Sequence, residues 1–242
     1  MTRRVLGLLH TAEAHRARFD RLLAEAAPPE VRWVHCVREG LLRQALDTFP
    51  VNTIAAGIVH AMATLRSLGA RRVLCTCSSI GGMAEQVGRR MGLPTLRVDR
   101  PMAEAAVAAG HRILVAACLP STLGPTTQLL KEVAHAQGRP VEIETLLMEN
   151  AWPLFQAGDE DGFTRHIAGI ILNTHPQPDA IVLAQASMAA AADLLAQAPV
   201  PVFASPRLGV AAALSQLTRP ADGADIPPDE AQRARTRQGR IA

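Results

Sequence analysis

Short apolar runs alternate along this chain with longer segments whose apolar residues recur at helical spacing. Val5–His10 is a continuous run, the pattern of a strand buried on both faces. Ala12–Ala26 follows with Phe19, Leu22 and Leu23 at helical spacing, and Pro28-Pro29 ends it. Val31–Cys36 alternates and carries Trp33, which predicts a second strand. Leu41–Leu46 predicts a short helix before Pro50, and Ile54–Leu68 a longer one closed by Gly69. Arg72–Cys77 is the third predicted strand, Met83–Met91 a helix capped by Gly92, and Pro94–Val98 a fourth strand.

The second half replays this order. Strands are predicted at Arg112–Cys118, Val141–Leu147, Ala180–Ala184 and Val200–Ala204. Helices are predicted at Thr122–Gln137, Phe163–Leu172 and Ala189–Ala196. Arg4-Val5-Leu6 sits over Arg112-Ile113-Leu114, and Cys77-Ser78-Ser79 over Gln185-Ala186-Ser187, both 108 positions on. The same offset puts Gly69 over Gln177, in the turn Pro176–Asp179, and His10 over Cys118. An internal duplication follows from this agreement at separated places.

Strands alternating with helices imply parallel sheets covered on both faces. The expected fold is therefore α/β, two tandem flavodoxin-like halves related by a pseudo-twofold. Residues 1–100 form the first half and 101–206 the second, with a helix at 207–218 packing back on the first. Residues 219–242 hold three prolines and five arginines with little to bury, the composition of a flexible tail.

Bulk properties narrow the partners. The charge of +3 is spread along the chain and aromatics are only 3%, so neither a basic stripe nor stacking platforms point to nucleic acid. No apolar stretch reaches the roughly 20 residues of a spanning helix, and Met1-Thr-Arg-Arg opens no signal peptide, so no membrane and a cytoplasmic location are expected. The four cysteines, Cys36, Cys75, Cys77 and Cys118, find no partner pair at metal-ligand spacing, and no metal is expected. Gly81-Gly82 is not a nucleotide fingerprint.

Ligands of such sheets bind at the carboxyl ends of the strands. Those ends are His10/Thr11, Cys77–Ser79, Cys118–Thr122 and Gln185–Ser187, which line one cleft if the halves face each other. A thiol at a helix N-terminus is favoured as thiolate, which makes Cys77 a candidate nucleophile or base. Ser78, Ser79, Ser121, Thr122 and Ser187 are hydroxyls at those ends, able to cap helices and bind a carboxylate at once.

The duplicated layout, Cys77 before Ser78-Ser79, Leu119-Pro-Ser-Thr-Leu-Gly-Pro-Thr126 and Arg97-Val-Asp-Arg-Pro-Met-Ala-Glu104 together resemble the aspartate/glutamate/hydantoin racemase superfamily. The resemblance runs from about Val5 to Leu217. It implies an aspartate-racemase-like fold and a PLP-independent racemase or isomerase acting on an amino acid or related small carboxylate, with no cofactor. In the family's racemases two thiols face each other across the substrate; the matching positions here are Cys77 and Gln185. An amide cannot carry the second proton, so His10 and Cys118 become candidates for that task. His10, Thr11, Ser78, Ser79, Cys118, Ser121, Thr122, Ala186 and Ser187 are the expected substrate-binding residues.

Two other readings fit a single thiol: a decarboxylase of a malonate-like acid, and a carboxylate-binding protein without catalysis. The partner in every case is a small carboxylate, and a homo-oligomer is left open.

Overall fold

The computed structural model describes residues 4–46, 51–174 and 178–219. The first sheet is built from β1 (Arg4–His10), β2 (Val31–Val37), β3 (Arg72–Cys75) and β4 (Thr95–Arg97), in the order β2-β1-β3-β4 and parallel throughout. Between them run α1 (Ala14–Ala26), α2 (Glu39–Leu46), α3 (Val51–Ser67) and α4 (Ser78–Met91). Next, α5 (Arg100–Ala109) leads into a second parallel sheet. Its strands are β5 (Arg112–Ala117), β6 (Glu142–Leu147), β7 (Ala180–Leu183) and β8 (Val202–Ala204), in the order β6-β5-β7-β8. Its helices are α6 (Pro120–Gln137), α7 (Trp152–Gln156), α8 (Glu160–Leu172) and α9 (Ala191–Leu194), and α10 (Ser205–Thr218) follows β8. Two 3-10 turns, Glu149–Ala151 and Ala186–Ala190, precede α7 and α9. The expected α/β fold of two tandem halves is the observed one.

The repeat slips by one residue. The Arg71 N–H donates to Val5 O as the Asp179 N–H donates to Arg112 O, and the Thr76 N–H donates to Leu9 O as the Ala184 N–H donates to Ala116 O. Hence β3 and β7 keep the predicted offset, whereas Val5 overlies Arg112 and Leu9 overlies Ala116. Cys118 therefore corresponds to Thr11 and not to His10. The proposed match of Gly69 with Gln177 lies outside the described residues, as does the predicted tail from residue 220 onward.

The inner strands β1, β3, β5 and β7 are buried on both faces, which explains their continuous apolar runs, whereas the edge strand β6 is largely exposed. On one face of the first sheet, Leu9, Val73 and Cys75 pack with Ile58, Met62 and Leu65 of α3 and Ile80 of α4. On the other, Leu6, Leu8 and Leu74 meet Phe19 and Leu23 of α1, and Val210, Leu214 and Leu217 of α10. One face of the second sheet packs Leu114, Ile181 and Leu183 on Phe163 and Ile167 of α8. The other packs Val115 and Val182 on Met102 and Val107 of α5 and Leu129 of α6.

Two helices thus cross over. α5 leaves the first sheet and covers the second, and α10 leaves the second and covers the first. Burial of Val210, Leu214 and Leu217 is worth about 1.5–3 kcal/mol each. Close approach is enforced at Gly209, where a Cβ would lie 2.7 Å from Val98 O.

Differences from the predicted elements gather near the strand ends. β3 stops at Cys75, and α4 starts at Ser78, five residues before its predicted start, so Gly81 and Gly82 are helical and not part of a turn. α5 and α7 were not predicted; each carries a proline in its first turn, an overlooked start signal. The predicted helix Ala189–Ala196 is a 3-10 turn followed by the four residues of α9. No helix among the described residues is long and apolar enough to cross a membrane.

Candidate active site

The carboxyl ends of β1, β3, β5 and β7 converge on a cavity of about 240 Å³. From the first half come Thr11, Thr76, Cys77, Ser78 and Ser79, and from the second Ser121, Thr122, Gln185, Ala186 and Ser187. Nine of the sequence-predicted residues are thereby brought together, including Cys77 and Gln185. His10 and Cys118 do not line the cavity.

Cys77 occupies the N-cap of α4 in extended conformation (φ −114°, ψ 117°) and caps no helical N–H with its side chain. Ser78 and Ser79 form the first turn, where backbone N–H groups have no partner within the helix and the positive end of its dipole lies. The neighbouring Cys75 is fully buried, its thiol donating to Cys77 O at 3.7 Å. Burial, then the nearness of Cys77, pushes the Cys75 thiol far above its ordinary range. Of this pair only Cys77 faces the cavity.

Gln185 holds a fixed position. Its Oε1 accepts from the Cys118 N–H at 2.5 Å and the Leu119 N–H at 3.1 Å, at the start of α6. One side chain thus ties the residues that join β5 to α6 onto the end of β7. The amide NH2 is the end left to meet a ligand. Those two N–H groups are consequently unavailable to a substrate, and the 3-10 turn after β7 is no full helix.

His10 is corrected from cavity residue to support. It is wholly buried, with Nδ1 2.8 Å from Thr76 Oγ1 and Nε2 2.9 Å from His35 Nδ1. His35 Nε2 reaches Asp20 Oδ1 at 2.9 Å, and that oxygen also accepts from Trp33 Nε1–H at 2.7 Å. Burial, reinforced by His35, lowers His10 to about 3, so the ring is neutral and acts on the cavity only through Thr76. Cys118 is also corrected. It is fully buried in the second core, where loss of solvent pushes its thiol up to about 12. Neither can carry a proton to a ligand.

The sequence reading missed His15. It lines the cavity from the first turn of α1, and burial followed by Arg18 lowers it to about 4, leaving a neutral imidazole. The available signal was position: the helix after β1 opens at the same mouth as Thr11. Trp152 and Phe155 of α7 were missed too. Their rings stack at 4.9 Å and form an apolar wall with Leu42 and Leu119. No Lys, Arg, Asp or Glu is among the lining residues described. Cys77 and His15 are the ionisable side chains that face the cavity, both from the first half.

Beneath α4 lies a buried ionic brace. Arg97 donates to Asp99 through Nε at 2.6 Å and Nη2 at 2.8 Å, and both side chains are almost wholly buried. Burial alone lowers the Arg97 pKa, but the hydrogen bonds and charge of Asp99 more than reverse this. The same Nη2 reaches Ser78 O at 3.3 Å and, in the second half, Pro125 O at 3.5 Å. Glu85 accepts the Arg97 N–H at 3.2 Å and pairs with Arg100 through two contacts of 2.9 and 2.5 Å. Gly81 permits this: a Cβ there would lie 2.8 Å from Arg97 Cβ. From the other side, Arg18 Nη1 donates to Ala186 O and ties α1 to the second half. Among the described residues no group of three or more His, Cys, Asp or Glu could hold a metal ion.

The family model described as Asp/Glu/Hydantoin racemase matches residues 7–213. No curated protein matches the sequence. The aspartate racemase of Picrophilus torridus superposes with a TM-score of 0.65 at 15% identity, over 88% of this chain and 94% of that one. Allantoin racemase from Pseudomonas fluorescens gives 0.56 at 15% identity, over 93% and 97%. An unliganded arylmalonate decarboxylase gives 0.55 at 15% identity, over 90% and 94%. At such identities these likenesses concern the fold.

Proposed function

The chain belongs to the Asp/Glu/hydantoin racemase family, and from that premise we propose that it is a cofactor-independent racemase or isomerase of a small carboxylate with an apolar side group. The observation that carries this reading is Cys77 at the N-cap of α4, facing a cavity it shares with one other ionisable side chain, His15.

Proton removal next to a carboxylate builds negative charge on the carboxylate oxygens, so catalysis needs donors aimed at them. In this mechanism the N–H groups of Ser78 and Ser79, with the hydroxyls of Thr11 and Ser187, hold the carboxylate. The Cys77 thiolate takes the α-proton, and the C–H electron pair moves into an enediolate. Once the enediolate's negative charge stands beside it, the His15 imidazole takes a proton from solvent and passes it to that carbon, and the Gln185 NH2 supplies a further donor. The wall of Trp152, Phe155 and Leu42 receives the side group. With no cation among the described lining residues, a second carboxylate would be buried unpaired, which disfavours dicarboxylic substrates.

Incubation in D2O with a panel of apolar amino and hydroxy acids, aspartate and glutamate tests the reading by loss of the α-proton signal. Exchange is expected with an apolar member and is abolished by Cys77→Ala. Full exchange by Cys77→Ala overturns the assigned role.

One observation favours a second reading, a single-thiol decarboxylase: among the described residues no ionisable side chain from the second half faces the cavity. There a disubstituted malonate loses CO2 and Cys77 protonates the enediolate. Stoichiometric CO2 release without α-exchange of the product would select it.

A further inference from the structure

A second cavity, of about 760 Å³, opens at the opposite edge of the first sheet, where β1 and β3 begin and α3, α4 and α10 end. Among the described residues that line it, seven are arginines and none is acidic. Arg4, Arg71 and Arg72 come from the strand starts, Arg66 and the pair Arg89-Arg90 from the last turns of α3 and α4, and Arg219 from the end of α10. These residues are scattered in sequence, and the fold gathers them.

Arginine near a helix C-terminus offsets the helix dipole, and that bland role must be weighed first. The second half serves as an internal control because it has the same topology. There α8 and α9 have no basic residue in their last turns. The segment Ala196–Val200 before β8 carries no basic residue, and Asp179 stands where the first half has Arg71. The fold therefore does not require arginines at this edge.

Two of the guanidiniums are also held in place. Arg4 Nη1 donates to Thr218 O at 2.8 Å, and Arg66 Nη2 donates to Met91 O at 2.5 Å. Each guanidinium carries five N–H donors, so both keep several for a ligand. Arg89 and Arg90 are exposed and stand beside them.

We propose that this cavity binds an oligophosphate group, the phosphate chain of a nucleotide or a free polyphosphate. Arginine's planar fork matches phosphate oxygens in pairs. A single carboxylate or phosphate would leave most of the positive charge unmatched, whereas a chain of three phosphates engages several guanidiniums together. No aromatic side chain is among the described residues that line the cavity, so recognition rests on the phosphates and not on a base. The site is separate from the reaction cavity and stands whatever the reaction proves to be.

Titration calorimetry of the full chain with tripolyphosphate and with ATP, at low and at raised salt, tests the proposal. Saturable binding that weakens with salt is expected, with at least about tenfold loss in R89E/R90E. Equal affinity for the two ligands, or tighter tripolyphosphate binding, identifies a free polyphosphate as sufficient; clearly tighter ATP binding identifies a nucleotide. Should R89E/R90E fold poorly, Arg71→Asp, the residue the second half uses, replaces it with the same expectation. Arg139→Glu, at an exposed site of the second half, should bind as the native chain does. Absence of saturable binding by both ligands at low salt overturns the proposal. Undiminished binding by a well-folded R89E/R90E does so as well.

Discussion

Removing the Asp99 carboxylate tests how the site is held together. In Asp99→Ala the Arg97 guanidinium stays buried but loses both of its shortest hydrogen bonds, at 2.6 and 2.8 Å. What remains are long contacts to Ser78 O and Pro125 O, at 3.3 and 3.5 Å, which cannot neutralise a charge. Breaking a buried pair from one side costs about 3–5 kcal/mol. For a chain of this size that lowers Tm by roughly 2–4 °C per kcal/mol, so a fall of roughly 10 °C is expected. Replacing both partners with apolar residues of similar volume removes the orphaned charge. Arg97→Met with Asp99→Leu should therefore recover much of the loss. Urea and thermal unfolding followed by circular dichroism would measure all three proteins. A D99A protein within about 1 kcal/mol of native, or a double variant no better than D99A, would refute this account of the brace.

Alkylation under native conditions should modify Cys77 first, since Cys75 and Cys118 are fully buried and their thiols pushed up; mass mapping that finds either of those two reacting first contradicts this. Gln185→Ala leaves the Cys118 and Leu119 N–H groups without their acceptor and should cost about 1–3 kcal/mol in urea unfolding, whereas Gln185→Glu, which keeps an oxygen there, should cost less. His10 near 3 and His15 near 4 are neutral in the fold but titrate near 6.5 when unfolded, so the unfolded chain binds the extra protons. Stability present above pH 6.5 should be lost as pH falls towards 4, by up to about 1.4 kcal/mol per pH unit for buried His10 and less for partly exposed His15. His10→Gln should flatten that slope, and an unchanged slope removes His10 from the explanation.

The fold was legible because the inner strands of both sheets are buried on two faces, so they stand out as apolar runs such as Val5–His10 and Arg112–Cys118. Strand ends exposed the loops that carry Cys77, Ser78, Gln185 and Ser187. What escaped were residues whose position depends on three dimensions. His15 looks like any polar residue of α1, and only the pairing of β1 with β3 brings the start of α1 to the cavity that Cys77 lines. Cys118 and His10 failed as cavity residues because position at a strand end does not say which way a side chain turns: Cys118 turns into the second core and His10 onto Thr76 and His35. The arginines of the basal cavity show the same limit: their spacing in sequence says nothing of their meeting in space.

The exchange of α5 and α10 between the sheets bears on how the chain is made. Residues 4–97 supply every strand of the first sheet, yet one of its faces is covered by α1 alone until α10 emerges, more than a hundred residues later. The second sheet has its full set of strands and covering helices between residues 100 and 204. During synthesis the later half can therefore complete its core before the earlier one does. A fragment ending near residue 99 would keep Phe19 and Leu23 of α1 on that face but lose Val210, Leu214 and Leu217, leaving the part of its core that α10 covers open to water.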